Sequence, residues 1–231
     1  MFPLTDTIRS RSTPFVTWLL ILLNGIVFMR ELALPPERLE QLVFAMGLVP
    51  ARLMHDAAGA WTTVISSMFL HGGWMHFVGN MWTLYIFGDN VEDRMGPARY
   101  LAFYLLGGVA AGLAHCLTDP QSAVPLIGAS GAISAVLGAY FVLYPRARVI
   151  TLVPVLFLPY MFELPAVTFF VIWFVTQLLS GMVSLAGARA AGGVAWWAHV
   201  GGFVAGMVLL PLFLKPRKRY RQFYPDEYWP W

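Results

Sequence analysis

The sequence predicts an all-α, polytopic membrane protein, a bundle of six transmembrane helices, and three observations carry that prediction. Of its 231 residues 58% are hydrophobic and 12% charged, about half the charge of an ordinary soluble domain. Mean hydropathy is +0.66. Six stretches are apolar over the roughly 20 residues that a bilayer crossing needs. A water-soluble globule is excluded, and six spans leave little room for a second domain. The single cysteine, Cys116, excludes an intramolecular disulfide and a thiolate metal cluster. The net charge of +3 does not point to nucleic acid, because most Lys and Arg residues stand at the ends of apolar runs, where they orient helices.

In chain order the spans are expected at 15–33, 73–91, 99–117, 126–144, 165–185 and 194–214. Arg9 and Arg11 precede the first, whose apolar stretch is too long for a signal peptide and lacks a small-x-small cleavage site, so it reads as a retained span. The connection 34–71 is the longest, with half-apolar stretches 41–53 and 61–70 around a polar break, and is expected to lie at the interface. The run 149–162 is too short for a seventh span and carries Pro154 and Pro159. It reads as a re-entrant or interfacial loop. With the N-terminus inside, 11 of the 15 basic residues fall on the inner side, leaving Arg30, Arg38, Arg52 and Arg189 outside. That is the positive-inside pattern. It predicts cytoplasmic termini, a membrane domain over 1–214, and a basic, aromatic tail over 215–231.

Spans two, four and six then enter from the outer face. His76, Ser130 and His199 each lie a few residues inside, on the order of 5 to 8 Å deep. Alone, Ser130 reads as a packing residue and each histidine as a core group. Together at one depth, they define a shallow outward cavity. Asn80 projects into it one turn deeper, His71 stands at its mouth, and no polar group continues inward, which argues against a channel. The set supplies the parts for acyl transfer. Ser130 is the nucleophile; its neighbours Gly128, Ala129 and Gly131 let a substrate backbone approach and leave first-turn amides accessible. His199 is base and then acid, and His76 and Asn80 are oxyanion donors.

No carboxylate is placed to orient the base. Asp89 and Asp93 lie about 20 Å deeper by the helical rise, and Asp56 and Asp119 are on outer loops, so a Ser–His dyad is expected, with no metal and no cofactor. Glu92 is read as a brace of the inner loop with Arg94 or Arg99. Gly202 and Gly206, with Gly201 beside them, face a small stripe of Gly131, Ala135 and Ala139, the spacing that brings membrane helices into near backbone contact.

The ordered motifs His71-Gly72-Gly73-Trp74-Met75-His76-Phe77-Val78-Gly79-Asn80, Glu92-x-x-x-Gly96, Gly128-Ala129-Ser130-Gly131 and Ala198-His199-x-Gly201-Gly202-x-x-x-Gly206 resemble those of the rhomboid intramembrane serine proteases. The resemblance covers most of the chain. It implies a rhomboid-type six-helix bundle that cleaves transmembrane proteins near the outer membrane face, with Ser130 as nucleophile, His199 as base, and His76 and Asn80 in the oxyanion hole. It also implies that span five and the loop 186–194 serve substrate access, with Phe169, Phe170, Trp173 and Phe174 as gate aromatics. Some members carry a tyrosine four residues after the nucleophile, packed on the base; here that position is Ser134. The minimal design favours a bacterial inner membrane. The competing reading is an inactive rhomboid-like protein that binds membrane clients, and such proteins characteristically lack the serine or the histidine.

Overall fold

The computed structural model describes residues 2–155, 158–185 and 195–216. Long apolar helices dominate: α1 (Phe15–Leu32), α5 (Trp74–Met95), α6 (Pro97–Thr118), α7 (Ser130–Leu143), α8 (Ala166–Leu185) and α9 (Trp196–Phe213). Four of them, α1, α6, α8 and α9, are long and apolar enough to cross a bilayer, which makes this a multi-pass membrane protein. The helix α5 has the length but carries Asp89, Glu92, Asp93 and Arg94 in its last two turns. The helix α7 has 14 residues.

The connection 34–71 is folded rather than loose. It forms α2 (Pro36–Met46), α3 (Pro50–His55), α4 (Ala57–Ser66) and one 3-10 turn, Ser67–Phe69. Proline at the first position starts α2 and α3, where its missing N–H loses nothing. The Asp56 carboxylate starts α4 by accepting from the Gly59 amide at 2.9 Å.

Two expectations need correction. The fold is not all-α, because β1 (Phe2–Asp6), β2 (Arg148–Val155) and β3 (Leu158–Pro165) form an antiparallel sheet in the order β1-β2-β3. The run 149–162 is therefore a hairpin, paired from Arg148↔Pro165 to Val155↔Leu158, and not a re-entrant loop. Its first strand is rich in Val, Ile and Thr, which favour extended backbone, and pairing with β1 satisfies its other edge.

Glu92 also does something other than brace a loop. Its buried carboxylate accepts from the Val16 and Thr17 amides at 2.9 and 2.8 Å and from the Thr17 hydroxyl at 2.8 Å. The N-terminus of α1 has no local side-chain cap, so a carboxylate from α5 takes its orphan amides and faces the positive end of its dipole.

At the centre stands α7, buried without interruption from Ala132 to Tyr140, as expected of a helix apolar on every side. Glycines let its neighbours reach it. A Cβ on Gly202 would collide with the Gly131 carbonyl, one on Gly206 with the Ala135 carbonyl, and one on Gly138 with the Phe203 carbonyl. One end of the bundle is tied by polar contacts: Asp6 accepts from Asn90 Nδ2 at 3.0 Å and from the Tyr140 hydroxyl, and the Lys215 amide donates to the Arg94 carbonyl at 3.0 Å. The candidate site occupies the other end.

Candidate active site

Ser130 is the first residue of α7, not a residue one turn inside a longer span. The expected start near 126 is replaced by an extended loop. Leu126 pairs with Leu48 through two backbone bonds of 2.8 and 3.0 Å, and the Gly128 amide donates to the Ser67 carbonyl at 2.9 Å. Gly128 has φ +120°, a conformation open to glycine and costly for a residue with a Cβ. A Cβ there would also stand 2.6 Å from His76 Nε2 and 3.7 Å from Ser130 Oγ. Ser130 thus opens a short helix, about 12 Å shorter than a 22-residue neighbour such as α6. Ala129 precedes it with no side-chain cap, so no side chain of that residue competes for the first-turn amides.

His199 lies in the first turn of α9, beside the start of α7. Its Nε2 is 2.8 Å from Ser130 Oγ. Its Nδ1 is 2.7 Å from Gln177 Oε1, on α8. An amide oxygen only accepts, so Nδ1 carries the proton and the Nε2 lone pair faces the serine. Gln177 is buried and was missed in the sequence. A lone amide in the middle of an apolar span is the signal that could have found it, since such groups face the bundle interior.

The ring of His199 also has aromatic company. Trp173 lies with its centroid 6.2 Å away at 32°, and Trp196 meets it edge-on at 6.3 Å. Ser134, where some rhomboids carry tyrosine, instead donates to the Ser130 carbonyl at 2.7 Å. Of the four α8 aromatics expected at a gate, Phe169 and Phe170 are buried in the core against Phe87. Phe174 packs on Phe203, and Trp173 reaches the histidine. The access loop 186–194 lies outside the described residues.

Two more donors stand on α5. The Gly72 amide donates to His76 Nδ1 at 3.3 Å, which leaves the proton on Nε2, the nitrogen next to Gly128. Asn80, one turn on, is buried, and its Nδ2 has no acceptor among the described residues.

His71 does not line the cavity. It is 3% exposed and sits behind His76, with ring centroids 5.1 Å apart, against Phe28 and Phe77. Burial, and then the neighbouring His76 charge, push its pKa down to about 4, so it stays neutral at physiological pH. Its backbone amide is held by the Glu31 carboxylate at 3.1 Å. Ala129 is likewise fully buried, whereas Gly128, Ser130 and Gly131 border a cavity of about 20 Å³ with Met68, Gly112 and Ala132. That is room for about one water.

The comparisons with known proteins identify the family. The family model described as "Rhomboid domain" matches residues 58–216. RHOMBOID-like protein 5 of Arabidopsis thaliana is 37% identical over 94 residues, covering 41% of this chain and 30% of its own length. The putative rhomboid protease YdcA of Bacillus subtilis is 33% identical over 84 residues, covering 36% and 42%. RHOMBOID-like protein 12, mitochondrial, of Arabidopsis thaliana is 28% identical over 180 residues, covering 68% and 52%. In each case the chain matches about half or less of the relative's length. With more than two thirds of the sequence inside one family model, and the matched segment running from α4 through α9, the chain belongs to the rhomboid family.

Proposed function

We propose that the chain is an intramembrane serine endopeptidase that cleaves transmembrane proteins near the outer membrane face. The observation that carries this is the hydrogen-bonded line Gln177–His199–Ser130, with 2.7 and 2.8 Å links. Gln177 holds the Nδ1–H, so the Nε2 lone pair takes the Ser130 proton as Oγ attacks the scissile carbonyl. The negative oxygen that forms is stabilised by the Ser130 amide at the start of α7, by His76 Nε2–H and by Asn80 Nδ2–H. The imidazolium then protonates the leaving amine, and water releases the acyl group by the same steps in reverse order. Gln177 is neutral, so it orients the ring without the charge that an aspartate would supply to the imidazolium.

The medium sets the substrate. A membrane helix keeps its amides bonded internally, so the segment to be cut must first unwind, and Gly, Pro and other weak helix formers near the outer face lower that cost. The cavity beside Ser130 favours a small side chain next to the scissile bond. In this reading α5 and α7 complete six crossings, 1–214 is one membrane domain, and both termini face the cytoplasm. The basic tail begins at Lys215, and its residues from 217 lie outside the described residues. A bacterial inner membrane is the proposed location; other relatives have mitochondrial or chloroplastic names, and cell fractionation decides the point.

The test is cleavage of a panel of model transmembrane substrates in liposomes by the wild type, Ser130→Ala and His199→Ala. Cleavage by the wild type alone is expected. A wild type that binds the panel without cutting any member would establish the client-binding alternative, against which the Ser130–His199 contact already weighs. Full activity in either variant would remove the dyad.

A further inference from the structure

A second cavity, sharing no residue with the one beside Ser130, opens between α1, α2, α4 and the Ser67–Phe69 turn. Its volume is about 540 Å³, inside the roughly 300–1,000 Å³ of small-molecule sites. Val27, Leu42, Met46, Ile65, Phe69 and Leu70 form its walls. The Ser66 hydroxyl on that wall is already spent on the Met46 carbonyl at 2.7 Å. Three lining residues are unlike the rest: Trp61, 61% exposed, Thr62 beside it, and Arg30, at the outer end of α1. Arg30 makes no side-chain hydrogen bond or ion pair among the described residues, whereas Arg52 donates to the Gly47 carbonyl and Arg38 to Gln41.

An apolar chamber with a cation at its edge that has no partner among the described residues is complementary to an amphiphile with an anionic head and a hydrocarbon tail. The volume selects the tail. A protein helix about 10 Å across would fill this volume in little more than one turn, whereas an extended acyl chain enters lengthwise. Trp61 and Arg30 are also the residue types that sit at the headgroup level.

We propose that this cavity holds one acyl chain of an anionic phospholipid, with its phosphate on the Arg30 guanidinium. The occupant is a lipid and not free phosphate, because beyond Arg30 and the Thr62 hydroxyl the walls are apolar and offer a phosphate nothing. The site touches the active end indirectly: Phe69 and Leu70 wall the cavity, and Ser67 in the same segment holds the Gly128 amide.

Native mass spectrometry of the full chain, released from mild detergent and titrated with dioleoyl phosphatidylglycerol or dioleoyl phosphatidylcholine, tests this without reference to proteolysis. The wild type should retain phosphatidylglycerol about fivefold more tightly, the scale of one basic residue at a membrane surface. Arg30 is exposed, so Arg30→Gln folds, and it should abolish the preference while leaving phosphatidylcholine retention unchanged. Ile65→Trp, which fills the chamber, should weaken both lipids. Equal retention of the two lipids by the wild type would overturn the proposal. A preference that survives in Arg30→Gln, or displacement of the lipid by a transmembrane peptide, would do the same.

Discussion

The two ends of the bundle use the same kinds of side chain for opposite purposes. At the tied end, Glu92 accepts three hydrogen bonds from the start of α1, and Asp6 accepts from Asn90 and Tyr140. At the other end, neither the second ring nitrogen of His76 nor Asn80 Nδ2 has a partner among the described residues, and Ser130 begins a helix whose first turn has no side-chain cap. Satisfied polar groups hold helices together. In the proposed mechanism the His76 and Asn80 N–H groups have a different task, to meet a charge that exists only during reaction.

Breaking each end should therefore fail in a different way. The largest effect belongs to Ser130→Ala: cleavage should fall by about 10⁴-fold or more, and adding His199→Ala should cost little further, because residues that act as a unit are not additive. The thermal midpoint should stay near that of the wild type. Glu92→Ala should do the reverse. Removing a buried carboxylate and stranding the amides it serves costs about 3 kcal/mol, read as a lower unfolding midpoint, while turnover per folded molecule holds.

Gln177→Leu sharpens the comparison, since it removes one acceptor at the reactive end without touching the nucleophile. Its turnover should drop about 10- to 100-fold with KM nearly unchanged, and Gln177→Glu, which keeps an acceptor for Nδ1, should recover part of the loss. A fall in KM-limited binding or in the unfolding midpoint alone would make Gln177 a packing residue.

The smallest effect is expected at Asp6. Burial, partly offset by the Tyr140 hydroxyl and reinforced by the nearby Asp89 charge, raises its pKa from 3.8 to about 6. A carboxyl raised on folding stabilises the fold below its unfolded pKa. That contribution disappears as pH climbs through about 6. Because Asp6 is only partly buried, solvent screening reduces the effect to about 1 kcal/mol. Wild-type stability should decline between pH 4 and 7, measured by thermal unfolding, and Asp6→Asn should flatten the curve.

The helices that build the bundle were legible because a hydrophobic run of membrane length has few other readings, and the expected spans match the helices to within four residues, the largest differences being the end of α5 and the start of α7. The start of α7 is instructive. Apolar periodicity continues smoothly from 126 to 144, and only the positive φ of Gly128 stops the helix short and puts Ser130 at its first position. The hairpin over Arg148–Pro165 escaped because its prolines and apolarity suit an interfacial loop equally well, and its pairing partner β1 is 140 or more residues away. Glu92 was misread for the same reason: a carboxylate near two arginines suggests an ion pair, whereas its true donors are backbone amides some 75 residues earlier. The candidates Ser130, His76, Asn80 and His199 could be read because their motifs are local. Gln177 could not, because its contact with His199 depends on how α8 rotates against α9.

The central claim is that the imidazole of His199 makes the Ser130 hydroxyl a nucleophile, and covalent trapping reads this most directly. After treatment with a fluorophosphonate, intact-mass and peptide analysis of the wild type should show a single phosphonyl adduct on the peptide containing Ser130. The adduct should be missing in His199→Ala and much slower to form in Gln177→Leu. An unlabelled wild type, or equal labelling of the wild type and His199→Ala, would contradict the account.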